Sequence, residues 1–66
     1  PGHGLTAMEI RSVVLSAEGA SAADIATVMG QSVHTIAIWT DAVMRKLGAA
    51  NRAQMVALAL RAGLIH

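Results

Sequence analysis

The reactive side chains of this sequence are few, and they suit holding an anion better than catalysis. Ser32 and Thr35 open the stretch SVHTIAIWTDAVMRKLG, and their hydroxyls can donate to a phosphate oxygen. A helix beginning there would add the partial positive charge of its N-terminus. His34 lies between them and can meet the same acceptors, more strongly when protonated. The full charges of the stretch, Arg45 and Lys46, come only at its far end. His3, His34 and His66 lack metal-ligand spacing, and neither a nucleophile motif nor a phosphate-cradling glycine loop occurs. Neither an enzyme, a metal site nor a cofactor is expected.

The chain that must position these groups is short. Its 66 residues make one small domain with a core that is marginal alone. Hydrophobic residues are 55% of the chain, but Phe and Tyr are absent and Trp39 is the only Trp. Ala, Val, Leu, Ile and Met suit thin, closely packed helices, and nothing suggests an aromatic-filled β core. The lack of cysteine removes disulfides and Cys-ligated zinc and fits a reducing, cytoplasmic setting. A net charge of +1 gives no strong field toward any partner. The longest apolar run, from Met55 to Leu60, is too short to span a bilayer, so no membrane partner is expected. Starting at Pro1, the chain reads as a piece of something longer, with residues 1–4 a flexible linker or cloning remnant and 5–66 the domain.

Four start and stop signals divide the domain. Thr6 with Glu9 has capping-box spacing, and Gly19 supplies a stop. Ser21 with Asp24 resembles a second box, closed by Gly30. Ser32 can cap a third helix that ends at Gly48, and Asn51 with Gln54 opens a fourth that ends at Gly63. The expected helices are about 7–18, 22–29, 33–47 and 52–62. Ile25, Ala26 and Met29 form an apolar stripe on the second, and Ile36, Trp39, Val43 and Leu47 on the third. On that stripe Trp39 reads as a core residue. The join of only Gly30, Gln31 and Ser32 forces a sharp angle between a short helix and a longer one. That is helix-turn-helix geometry, whose second helix can enter a major groove.

These residues resemble a family. Leu5-Thr6 with Glu9, Glu18-Gly19, Ser21, Ile25-Ala26, Gly30, Ser32, Thr35-Ile36, Lys46-Leu47-Gly48 and Asn51-Arg52-Ala53 with Val56 and Ala57 stand in the order of the DNA-binding domain of LuxR-type (NarL/FixJ-like) transcription regulators. The resemblance runs over residues 5–65 without a gap. Sigma-factor region 4 shares the front half, but the run KLGAANRAQMVALALRAGLI supplies the fourth helix of the LuxR type. The resemblance implies an all-α, four-helix helix-turn-helix domain, with the third helix for recognition and the fourth for dimerisation. It also implies operator binding and a missing N-terminal sensory domain. That domain would be a phosphoreceiver, as in a response regulator, or a small-ligand domain, as in quorum sensing.

Carried onto this sequence, the resemblance makes Ala37, Ile38 and Asp41 the base-facing positions. Relatives often hold Lys, Ser, Thr or Asn at the outer two, and this chain departs at both. Ala37 and Ile38 can touch a thymine methyl but make no bidentate hydrogen bonds, while Asp41 could accept from cytosine or merely stay solvated. Ser32, His34 and Thr35 would meet the backbone, His34 alternatively a guanine edge, and Arg45, Lys46 and Arg52 would anchor phosphates. Glu9 could instead pair with Lys46 or Arg52 inside the fold. About three phosphate contacts per subunit would give a dimer a log–log salt slope near −5.

Two helices carry more apolar surface than one small core absorbs. On the first, Ile10, Val13, Val14 and Ala17 form a stripe, while Ser12 and Ser16 hold positions that are commonly Leu or Val in relatives. Either the helix is rotated, or Ile10 and Val14 are exposed for docking. On the fourth, Met55, Leu58, Ala59 and Ala62 would pair two copies of the chain. The alternative to a DNA-binding domain is a degenerate helix-turn-helix that works as a protein-interaction or dimerisation module.

Overall fold

A computed structural model describes residues 4–66, so the reading of residues 1–3 as a tail, His3 among them, falls outside the described residues. Among the described residues the chain forms four helices and no strand: α1 (Ala7–Ala17), α2 (Ala22–Met29), α3 (Val33–Leu47) and α4 (Arg52–Arg61). Each start is fixed by a side chain that satisfies an orphan backbone donor. Thr6 Oγ1 accepts from the Glu9 amide and Glu9 Oε1 from the Thr6 amide, which closes a full capping box. Ser21 and Asp24 repeat it on α2. Ser32 caps α3 by accepting from the Thr35 amide, and Asn51 caps α4 by accepting from Gln54. Gln54 Oε1 in turn accepts from the Ala50 amide, one residue before the cap.

The stops differ in kind. Gly30 and Gly48 end α2 and α3 in the left-handed region, at φ 67° and 70°, where a Cβ would be strained. α1 and α4 end one residue short of the expected 18 and 62, because Glu18 and Ala62 are themselves the C-caps, in the right-handed region.

The core has two parts joined by α3. Val13 of α1, Val43 of α3, Met55 and Ala59 of α4 and Ile65 of the tail form the larger. Ile25 and Ala26 of α2 with Ile36 of α3 form the smaller, and Trp39 packs half-buried against it. α3 therefore touches both clusters along one side and leaves the other side to solvent.

α1 resolves the choice between rotation and exposure by doing neither fully. Ser12 is buried, and its hydroxyl donates to the Glu9 carbonyl at 2.7 Å, so no polar atom is stranded. Ile10 and Val14 are half-buried against the larger cluster, and Ala17 is exposed. The helix turns inward a face centred on Glu9, Ser12 and Val13.

Candidate nucleic-acid interface

The solvent side of α3 carries His34, Ala37, Ile38, Asp41 and Arg45, all exposed and spaced by three or four residues. Its opposite side is held by Ile36 and Val43, both buried. The face is thus presented by a helix whose rotation is fixed. It has little net charge, since Asp41 and Arg45 offset each other and neither forms an ion pair. Among the described residues the only ion pair joins Lys46 to Glu9. A shallow depression between this helix and the following turn is lined by Ile38, Asp41, Met44, Arg45 and Gly48 to Ala50.

At the N-terminus of α3, Ser32 Oγ and Thr35 Oγ1 stand 3.0 Å apart. Two hydroxyls have two hydrogens, and one is used between them, so the pair keeps one to donate outward. Ser32 is exposed and Thr35 half-buried. Ser32 thus caps the helix while remaining at the rim of the face.

Two of the expected phosphate anchors are engaged inside the fold. Lys46 Nζ donates to Glu9 Oε1 at 2.8 Å and to the Gly4 carbonyl at 3.0 Å. Burial alone would push the Glu9 carboxyl up. The hydrogen bonds from Lys46 and the Thr6 backbone, together with the Lys46 charge, outweigh that and hold it below its ordinary value of 4.5. Arg52 donates through Nε and Nη2 to Ser16 Oγ at 3.2 and 2.9 Å, and through Nη2 to the Ala20 carbonyl at 2.7 Å. It ties the start of α4 to the α1–α2 corner. The Arg45 side chain makes no hydrogen bond or ion pair among the described residues and stays exposed.

The dimer set divides in two. Met55 and Ala59 are 1% and 0% exposed within the domain's own core, which corrects their assignment to a dimer face. A side chain with no accessible surface has none to offer a second copy, and the apolar run of α4 had hidden which of its faces turns inward. Leu58 is half-buried and Ala62 exposed, and both border a shallow depression with Lys46, Leu47 and Arg61. Leu60, absent from the expected set, is an exposed large apolar side chain on the same helix.

Sequence reasoning also passed over Val33. It is the first residue of α3 and is 51% exposed, one helical turn before Ala37. The signal was present, since Val33 lies off the Ile36–Val43 stripe and four residues from Ala37, one of the positions expected to face bases.

The fold has close counterparts. The family described as bacterial regulatory proteins, luxR family (GerE), matches residues 3–59. The transcriptional activator protein VanR of Vibrio anguillarum is 39% identical over 62 residues, which cover 94% of this chain and 26% of VanR. Among solved structures, the phage VqmA–DPO complex superposes with a TM-score of 0.87 at 29% identity, over 94% of this chain and 28% of that one. The chain spans about a quarter of the length of both relatives.

Proposed function

The chain belongs to the luxR family of bacterial regulatory proteins, as its helix-turn-helix DNA-binding domain, and we propose that it binds a roughly palindromic operator as a dimer. In this reading α3 enters the major groove and α2 lies across the backbone. Ser32, Thr35 and the α3 N-terminus hold one phosphate strand, and Arg45 reaches the other. His34, Ala37, Ile38 and Asp41 face the base edges. Leu58 and Ala62, at the free edge of α4, pair the two copies.

One observation supports this best: an exposed face on a helix held rigidly from behind by two buried clusters. A helix fixed in this way brings its side chains to a base edge with little backbone freedom left to lose on binding. The short relative coverage supports a longer regulator whose N-terminal part senses a signal, either through a phosphoreceiver or a small-ligand domain. A cytoplasmic location follows from this reading, and no helix of the described residues is long and apolar enough to cross a membrane.

A second reading is favoured by the internal engagement of Lys46 and Arg52: an interaction module with little DNA affinity. A mobility-shift titration across salt concentration and duplex sequence separates the two. The operator reading expects sequence-dependent retardation that weakens with salt. Failure of a demonstrated dimer to retard any duplex at low salt would leave only the interaction module.

A further inference from the structure

We propose that the domain selects its half-site through thymine 5-methyl groups, with Val33 as a specificity-determining residue beside Ala37 and Ile38. The inference rests on the operator reading above and names what that face selects. Val33 and Ile38 are 51% and 50% exposed, and Ala37 between them is exposed as well. Val33 packs in neither core cluster, so about half of its surface is free to meet a partner. Along the helix axis Val33 to Ile38 covers about 7.5 Å, or roughly two base-pair steps. The first turns of a recognition helix are the part that meets base edges.

What this strip can read follows from what it lacks. Neither Val33, Ala37 nor Ile38 has a donor or acceptor on its side chain, so the hydrogen-bond patterns of guanine, adenine and cytosine are illegible to them. The one apolar feature that the major groove presents is the 5-methyl of thymine. In the operator reading, groups that would hold phosphate flank the strip, the Ser32–Thr35 hydroxyl pair at the start of the helix and Arg45 toward its end. That continuity places the apolar strip over the bases once the ends are seated. His34 and, a turn further on, Asp41 are the exposed polar members of the face, with one or two hydrogen bonds to add to the apolar contact.

The test uses the 66-residue chain and a duplex enriched by it from a random pool. Each thymine of the enriched half-site is replaced in turn by deoxyuridine, which removes the methyl and keeps every hydrogen-bonding group. Two or three adjacent positions should each lose about fourfold in affinity, the equilibrium equivalent of one methyl-sized group left unburied. Val33→Ser, at an exposed position, should erase the thymine preference at one of those positions and leave the affinity for the matching uracil duplex unchanged. A bound duplex whose uracil scan is flat overturns methyl readout while the operator reading stands. Retardation of no duplex at low salt overturns both.

Discussion

Replacing Lys46 by Met removes a charge from a carboxylate that the fold has enclosed. Glu9 Oε1 accepts from Lys46 Nζ and from the Thr6 amide, each at 2.8 Å, and the Glu9 and Lys46 side chains are 7% and 35% exposed. Breaking a fully buried pair costs about 3–5 kcal/mol, because the remaining charge has no partner. An exposed pair contributes at most about 1 kcal/mol. Here the carboxylate is enclosed but water reaches the ammonium, which places the expected loss at about 1–2 kcal/mol. A domain of this length holds about 3–10 kcal/mol in total, so the melting temperature should fall by roughly 5–15 °C. Methionine keeps most of the apolar stem, so lost packing contributes little. The pH dependence has a defined sign. A carboxyl held below 4.5 in the folded state stabilises the fold above that pH, and the contribution disappears as pH falls through the lowered value. The difference between parent and Lys46→Met should therefore be full at neutral pH and shrink in acid. Thermal and urea unfolding followed by far-ultraviolet circular dichroism measures it. A variant melting within about one degree of the parent at neutral pH would refute the pairing as a source of stability. A deficit that persists undiminished in acid would move the loss to the Gly4 contact.

Ser32→Ala should cost about 1 kcal/mol in urea unfolding, because the Thr35 amide loses its cap; an unchanged midpoint would mean that water replaces the hydroxyl fully. Asp41→Lys should tighten binding to every duplex and, with one new cation in each copy of the dimer, steepen the salt slope by about 2, and an unchanged affinity would show that Asp41 does not face DNA. Arg45→Ala should weaken binding uniformly across sequences and, since a dimer loses two cations, make the slope shallower by about 2, as read in mobility-shift titrations. Leu58→Glu should shift sedimentation from dimer to monomer and leave the fold intact, and a dimer that survives it would place the contact elsewhere on α4.

The helices were legible because their signals are local. The Thr6–Glu9 and Ser21–Asp24 boxes, the Ser32 and Asn51 caps and the left-handed Gly30 and Gly48 are decided within a few residues of chain. The α3 stripe was legible for the same reason, since Ile36, Trp39, Val43 and Leu47 recur at spacings of three and four while His34, Asp41 and Arg45 fall on the other side. α4 was not, because an unbroken run from Met55 to Leu60 has no polar side to show which face turns inward. Only its packing against Val13, Val43 and Ile65 puts Met55 and Ala59 inside. The state of Ser12 was hidden too, because its burial depends on a hydrogen bond to the Glu9 carbonyl that spacing does not reveal. Charge partners were half legible: Glu9 was offered to Lys46 or Arg52, and the fold gives it to Lys46 while Arg52 goes to Ser16 and Ala20. Glu9 and Lys46 are far apart in sequence, and so are Ser16 and Arg52, so whether a cation faces DNA or its own fold is decided by tertiary structure alone.

That allocation of cations has a consequence for how such a domain can recognise anything. With Lys46 held by Glu9 and Gly4, and Arg52 by Ser16 and Ala20, Arg45 is the cation left on the solvent face of α3. A dimer would then neutralise about two phosphates, for a log–log salt slope near −2 in place of −5. Low electrostatic grip lowers affinity for all sequences alike, since phosphate contacts carry no base information. It leaves contact at the base edges and the pairing of two half-sites to set the difference between right and wrong DNA. A single copy would be a poor binder, and two copies joined through α4 would gain chiefly from the second site being already at hand. In the operator reading, dimer formation would then be the step at which DNA binding is switched. A sensory domain could control the operator without touching α3, simply by bringing two copies of α4 together or holding them apart.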